Sequence, residues 1–299
     1  MNPLSPRARG TLSVLGATVC WGVATVMVKH ALGSIPPFFL LAFQLLLSVS
    51  FLWAAVTRLG HRSTFREIRS LSLPGLLNPG LAYALALLGL VTTTASMSTL
   101  LWAAEPILIF LLAWPLLGER WNPHLGGWLI LGIAGVVVIA GIGAITSGAA
   151  IGNALILTGV ACCALYSVIS SRTARIADPL VIAAAQQSSA VMFALALAAG
   201  ELVLSRAPLR IRPTDLFWAA LAGFLYYTVA FWLYLIGLRN LPASRVGAML
   251  NLVPVVGVST AALTLGERLT PTQAIGAVLI IVSVTGAFSV RHSLSLISR

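Results

Sequence analysis

Charge is scarce in this chain. Only 8% of its 299 residues are charged, and seven of them are acidic. A soluble domain carries roughly a quarter of its residues as charges to solvate its surface. The shortage therefore excludes an ordinary water-soluble globule. Of the 18 basic residues only Lys29 is a lysine. Cysteine is limited to Cys20, Cys162 and Cys163, all inside apolar runs. That excludes a disulfide framework and leaves small buried side chains as the expectation. The four histidines, His30, His61, His124 and His292, lie near the ends of apolar runs with no metal-ligand spacing. A phosphate-cradling Gly-Lys-Ser/Thr loop is missing, so no built-in ATPase and no cofactor is expected. Long polar stretches are missing too. The longest are 58–72 and 205–215, and neither suffices for a soluble domain.

What the chain does have is apolar length. Hydrophobic residues make up 59% of it and the mean hydropathy is +1.00. The composition is that of a polytopic membrane protein. Each apolar run is about 20 residues, enough to cross a hydrocarbon core about 30 Å thick. Ten all-α spans are predicted, near 11–32, 36–59, 73–94, 96–117, 124–143, 151–172, 179–204, 216–238, 246–265 and 271–290. The first run lacks a small-residue cleavage site and is expected to be a retained helix.

The net charge of +11 is distributed between spans with no basic stripe, which argues for lipid contact and topology signals and against nucleic acid. With the N-terminus inside, the inner ends carry Arg7, Arg9, Arg58, Arg62, Arg66, Arg69, Arg120, Arg172, Arg175, Arg239, Arg245, Arg291 and Arg299. The outer ends keep Lys29, Arg206, Arg210, Arg212 and Arg268. That asymmetry predicts both termini in the cytoplasm of a bacterial inner-membrane protein.

The sequence also repeats itself. Residues 99–139 align with 247–287 at an offset of 148, so that Pro106 meets Pro254, Leu117-Gly118-Glu119-Arg120 meets Leu265-Gly266-Glu267-Arg268, and Pro123 meets Pro271. Gly89 meets Gly237 in the same register. At an offset of 142, Pro37 meets Pro179 and Gln44 meets Gln186. Each half, 1–145 and 146–299, is then five helices. Because five is odd, the second half enters the membrane upside down, which places a shared cavity near the midplane. Asn122-Pro123 and Thr270-Pro271 read as an N-cap followed by Pro at the first helical position. Glu119 and Glu267 are free to pair with the adjacent Arg or with the N-terminus of the next helix. These corners serve as structural turns or as gate latches.

Ten spans, the inverted repeat and the two Gly-Glu-Arg corners followed by Pro resemble the drug/metabolite transporter superfamily. Trp21-Gly22-Val23-Ala24-Thr25 with Lys29 beyond it, its counterpart Cys163-Ala164-Leu165-Tyr166-Ser167, and Glu105-Pro106 are similar to the family's texture. The resemblance covers the whole chain and implies a secondary carrier of small metabolites. Within the superfamily the chain looks most like bacterial amino-acid exporters, those for aromatic amino acids included. Position 44 often holds Arg in the family but is Gln44 here, and Val253-Pro254 stands where Glu-Pro can occur. A cation in span two or a carboxylate in span nine is therefore not carried over.

Glu105 is the only acidic residue deep inside a span, with span ends about ten residues away on either side. An intramembrane carboxylate must face protein or a wet cavity. It reads as a proton-coupling group, a partner for a substrate amine, or a structural hydrogen-bonding group. Ser98, Trp102 and Glu105 recur at helical spacing and are expected on one face. Asn78, Tyr83, Tyr227, Trp232, Tyr234 and Asn251 supply further polar or aromatic groups within spans. Tyr227 and Tyr234 share a face, Tyr166 pairs with Ser170, and Trp21 with Thr25. The substrate-binding candidates are thus Trp21, Asn78, Tyr83, Ser98, Trp102, Glu105, Tyr166, Tyr227, Tyr234 and Asn251, with helix packing as the alternative for each. Lys29 either snorkels to the headgroups or meets a substrate carboxylate. The glycines of spans five and ten, among them Gly126, Gly127, Gly132, Gly135, Gly141 and Gly143, read as close-packing positions.

The function expected is export of small organic metabolites, amino acids included, by alternating access. The partners are a small-molecule substrate and the bilayer, with a monomer expected and a dimer as the alternative. A facilitative carrier or a drug exporter of the same superfamily is the second reading. A membrane-embedded enzyme is remote, because no second catalytic group accompanies Glu105. A channel would need a ring of like groups from identical subunits.

Overall fold

The computed structural model describes residues 5–297 except 62–63, 118–126, 129, 133, 136–137, 139–148, 206–210, 242 and 251. The described chain is all-α: α1 Pro6–Ala31, α2 Pro37–Arg58, α3 Phe65–Ser72, α4 Leu76–Thr92, α5 Ala95–Trp102, α6 Glu105–Leu117, α7 Ala149–Thr173, α8 Pro179–Ser205, α9 Pro213–Asn240, α10 Ala243–Leu250, α11 Leu252–Leu265 and α12 Pro271–Ile297. By length and composition α1, α2, α7, α8 and α9 each suffice to cross a membrane, and α3 with α4, bent by 41°, makes a sixth candidate. The pairs α5–α6 and α10–α11 fall on the predicted fourth and ninth spans, and α5 and α6 are separated by a turn at 103–104. The predicted fifth span is mostly outside the described residues, as are its first-repeat corner and Asn251.

The helix starts follow their sequence. Ser5 accepts from Ala8 N at 3.2 Å to cap α1, and Thr94 accepts from Met97 N at 3.0 Å to cap α5. Pro6, Pro37, Pro179, Pro213 and Pro271 open their helices, where a missing N–H costs no internal bond. The polar stretch before span three contains a helix the hydropathy pattern missed. Thr64 and Glu67 form a reciprocal capping box at the start of α3. Ahead of the predicted span three, α3 meets α4 at the 41° bend.

The core lies where α1, α2, α4, α7, α8 and α9 meet, with Tyr166, Tyr227, Phe231, Leu40, Leu45 and Ile182 among its fully enclosed side chains. Polar groups are buried there as well. Ser48 donates to Gln187 Oε1 at 2.6 Å, Thr228 to Ser48 Oγ at 2.9 Å, and Tyr166 to Gln186 Oε1 at 2.6 Å. The outer surface instead carries Phe51, Met192, Phe217 and Ile151. Polar inside and apolar outside is the arrangement lipid requires. Trp232, expected within a span as a candidate, is on this outer surface, 38% exposed.

Glycine lets helices of the two halves approach closely, in reciprocal pairs. A methyl on Gly223 would lie 2.7 Å from Gln44 Cβ, and one on Gly75 would meet the backbone of Gln186. Gly75 and Gly223 are 148 apart, and Gln44 and Gln186 are 142 apart, the offsets of the repeat. Likewise a methyl on Gly89 would meet the Gly152 carbonyl and Ile156, while one on Gly237 would meet Val14. Gly152 and Ile156 are the repeat counterparts of Gly10 and Val14.

Candidate functional site

Two helices lose their regularity at matching places. In α4 the break is at Pro79, which has no N–H to continue the ladder and pushes the preceding residue out of the helical region. Asn78 is accordingly extended, at φ −148° and ψ 121°. In α9 the turn over Phe224–Ala230 is widened. The carbonyls this leaves are taken by side-chain donors: Trp21 Nε1 donates to Tyr226 O at 3.2 Å, and Gln187 Nε2 to Tyr227 O at 2.6 Å. Irregular backbone at membrane depth is tolerated where it is buried or lines a cavity.

A third break separates α5 from α6. Pro106 would clash with the carbonyl four residues earlier, that of Trp102, so α5 ends there and α6 begins at Glu105. Glu105 therefore opens a helix and does not lie in the middle of one. Of the three residues expected on one face, Trp102 and Glu105 line one cleft and Ser98 and Trp102 a second.

These three irregular segments surround a cleft of about 540 Å³, counting all space between its walls and its mouth. Trp21 and Thr25 enter from α1, Asn78 and Tyr83 from α4, Thr99 and Trp102 from α5, and Glu105 from α6. Cys163 comes from α7, Tyr226, Phe231 and Tyr234 from α9, and Leu250 and Val253 from α10 and α11. The first group belongs to one repeat and the second to the other. The aromatic rings lie edge to face: Tyr83 to Tyr226 at 5.1 Å between centroids, Trp21 to Tyr234 at 5.4 Å and Trp21 to Phe231 at 5.8 Å. Tyr83 and Trp102 are tilted at 5.5 Å. Such pairs contribute about 0.5–1.5 kcal/mol each beyond their buried area.

One polar chain crosses this aromatic wall. Asn78 Nδ2 donates to Cys163 Sγ at 3.2 Å, and Cys163 Sγ donates to Glu105 Oε1 at 3.4 Å. Tyr234 donates to Ser167 Oγ at 2.9 Å. Ser167 Oγ lies 3.1 Å from Glu105 Oε1 and 2.9 Å from the Cys163 carbonyl, and its single proton serves one of them at a time. Glu105 is 6% exposed. Asn78 Oδ1 is buried with no partner among the described residues. Cys163, expected as a small apolar filler, is instead the bridge between Asn78 and Glu105.

Of the sequence candidates, Trp21, Asn78, Tyr83, Trp102, Glu105 and Tyr234 meet in this cleft. Ser98 and Tyr227 line a smaller adjoining cleft with Val28 and Leu90. Tyr166 is fully enclosed, its hydroxyl on Gln186, because α8 packs directly over it. Thr99, Cys163, Tyr226 and Phe231 were not singled out by the sequence. Tyr226 precedes a candidate by one residue, and only the widened turn of α9 brings it inward. Among the described residues, no group of His, Cys, Asp and Glu could hold a metal ion.

Lys29 is held at one end of the bundle. Its Nζ donates to the carbonyls of Leu90 at 2.8 Å and Thr93 at 2.6 Å, at the C-terminal end of α4, where a cation suits the helix dipole.

An all-helical membrane protein with irregular helices around a shared cleft has the architecture of a carrier. The sequence model of the EamA-like transporter family matches the chain twice, over residues 8–141 and 150–289. The chain belongs to the EamA-like transporter family, within the drug/metabolite transporter superfamily. It is similar to the uncharacterized transporter YvbV of Bacillus subtilis strain 168, with 27% identity over 268 residues, covering 89% of this chain and 87% of that protein. A protein of solved crystal structure superimposes with a TM-score of 0.70 at 21% identity, covering 96% of this chain and 99% of the other. That likeness concerns the fold alone.

Proposed function

We propose that the protein is a secondary exporter that carries small organic metabolites across the bacterial inner membrane by alternating access. The sequence resemblance points to amino acids, aromatic ones included. The observation that carries the reading is the cleft itself: a ring of aromatic side chains around one carboxylate, built from residues of both repeats. Aromatic walls bind apolar or aromatic bodies by burial and edge contacts.

The division into halves 1–145 and 146–299, inverted in the membrane, is supported by the reciprocal glycine contacts. Gly223 faces Gln44 as Gly75 faces Gln186, and Gly237 faces Val14 as Gly89 faces Ile156. Rocking of one half against the other would then expose the cleft to each side in turn. Cytoplasmic termini follow from the basic residues at the inner ends. A maleimide that cannot cross the membrane is expected not to label Ser5→Cys in intact cells.

Counterflow in liposomes tests the function. Vesicles holding the purified protein and an unlabelled solute are expected to accumulate the same labelled solute, across a panel of aromatic amino acids, aromatic amines and neutral aromatic metabolites. Parity with protein-free vesicles for every solute would overturn the reading.

A further inference from the structure

The cleft holds one carboxylate and, among the described residues, no cationic side chain, and that charge balance indicates what it binds. Its acceptors are open. Both hydrogen bonds on the Glu105 carboxylate among the described residues fall on Oε1, which leaves Oε2 without a described partner. Asn78 Oδ1 is buried and unpartnered. Several of its donors are engaged, and the Tyr83 and Tyr226 hydroxyls and the Trp102 indole N–H complete the set. Thr25 donates to Trp21 O at 2.9 Å and Thr99 to Ser96 O at 2.9 Å. The Trp21 indole is on Tyr226 O and the Tyr234 hydroxyl on Ser167. Among the described residues no cationic side chain lines the cleft, and Lys29 is bound to the α4 carbonyls.

An anionic or zwitterionic solute would bring a carboxylate into this cleft with no cation to meet it, and a buried charge without a partner is strongly disfavoured. A protonated amine supplies what is missing. Its N–H groups can donate to Asn78 Oδ1 and Glu105, its charge is balanced by the carboxylate, and the faces of Trp21, Tyr83 and Trp102 attract a cation. We propose that the solute is an organic amine bound as its ammonium ion, with an aromatic or apolar body and no carboxylate. This rests on the transport reading and departs from it on the substrate, replacing amino acids with amines. The ammonium group is common to amines and amino acids; the cleft selects the former.

Three phenyl compounds of nearly equal size separate the alternatives: phenethylamine, phenylalanine and 2-phenylethanol. Their binding to the purified protein in detergent can be followed by tryptophan fluorescence, since Trp21 and Trp102 line the cleft, and by calorimetry. Phenethylamine is expected to bind about tenfold or more tighter than either of the others, the size of one desolvated cation–π or charge-assisted contact. In Glu105→Gln that preference is expected to collapse toward the affinity of 2-phenylethanol, and Asn78→Leu should lower it in part, with melting temperatures reported alongside. The wild-type comparison needs no variant to fold. Phenylalanine or 2-phenylethanol binding as tightly as phenethylamine would overturn the amine assignment and leave the transport reading standing. So would binding of none of the three by a protein that shows counterflow with other solutes. Absence of counterflow with every solute would overturn the transport reading itself.

Discussion

The carboxylate of Glu267 accepts the backbone N–H of Ser96, at 2.8 Å, and that of Ala95, at 3.0 Å. A residue of the second repeated corner thereby caps a helix of the first repeat. On the other side of the same turn, Lys29 holds the last carbonyls of α4. The turn between α4 and α5 is thus gripped at both dipole ends, by a carboxylate at an N-terminus and an ammonium at a C-terminus. The sequence offered the adjacent Arg or the N-terminus of the next helix as partners for Glu267; the structure instead gives it the N-terminus of α5, in the other repeat. Glu267→Ala is expected to destabilise the protein by about 1–2 kcal/mol, the usual worth of an N-terminal cap. Thermal unfolding in detergent measures it, and an unchanged melting temperature would mean the contact contributes nothing.

The reciprocal glycines give a second prediction with an internal control. Gly237→Ala would drive its new methyl against the Val14 side chain, and Gly89→Ala would drive one against the Gly152 carbonyl as well as Ile156. Both substitutions are expected to destabilise by about 1–3 kcal/mol through overpacking. Val14→Ala should restore much of the loss in Gly237→Ala, because it removes the obstructing methyl groups. Ile156→Ala should not restore Gly89→Ala, because backbone remains in the way. Double-mutant cycles on the melting temperature read the difference.

Glu105 bears on energy coupling. Export against a gradient needs a group that takes up a proton on one side and releases it on the other, and Glu105 is the carboxylate in the cleft. With a pH gradient imposed on liposomes, the parent is expected to move solute uphill and Glu105→Gln only to equilibrate it. Uphill transport that survives in Glu105→Gln would rule this residue out as the coupling group. Equilibration by both would favour a facilitator.

Much of the fold was legible because bilayer thickness fixes the length of an apolar run, and the repeat is written in matching prolines and glycines such as Pro106 and Pro254. The breaks were less legible. Pro79 and Pro106 are visible, but the sequence does not say that Asn78 leaves the helical region or that Asn78 and Glu105 line a shared cleft. Helical spacing grouped Ser98, Trp102 and Glu105, and the structure divides them between two clefts that share Trp102. Tyr166 and Tyr227 have the residue type of a cleft wall, yet burial by α8 and the widened turn of α9 direct them elsewhere. Tyr226 and Cys163 owe their roles to packing between the halves, which no local pattern records.

The central claim is that the aromatic cleft is the path of the solute, and Tyr83 and Trp102 test it most directly. Each is replaced by Ala, purified, and matched to the parent by elution profile and melting temperature before counterflow is measured at equal protein density. Loss of one aromatic wall is expected to lower the rate about tenfold, in line with the stacking and area it removes. Well-folded Tyr83→Ala and Trp102→Ala proteins that transport at the parent's rate would contradict the account.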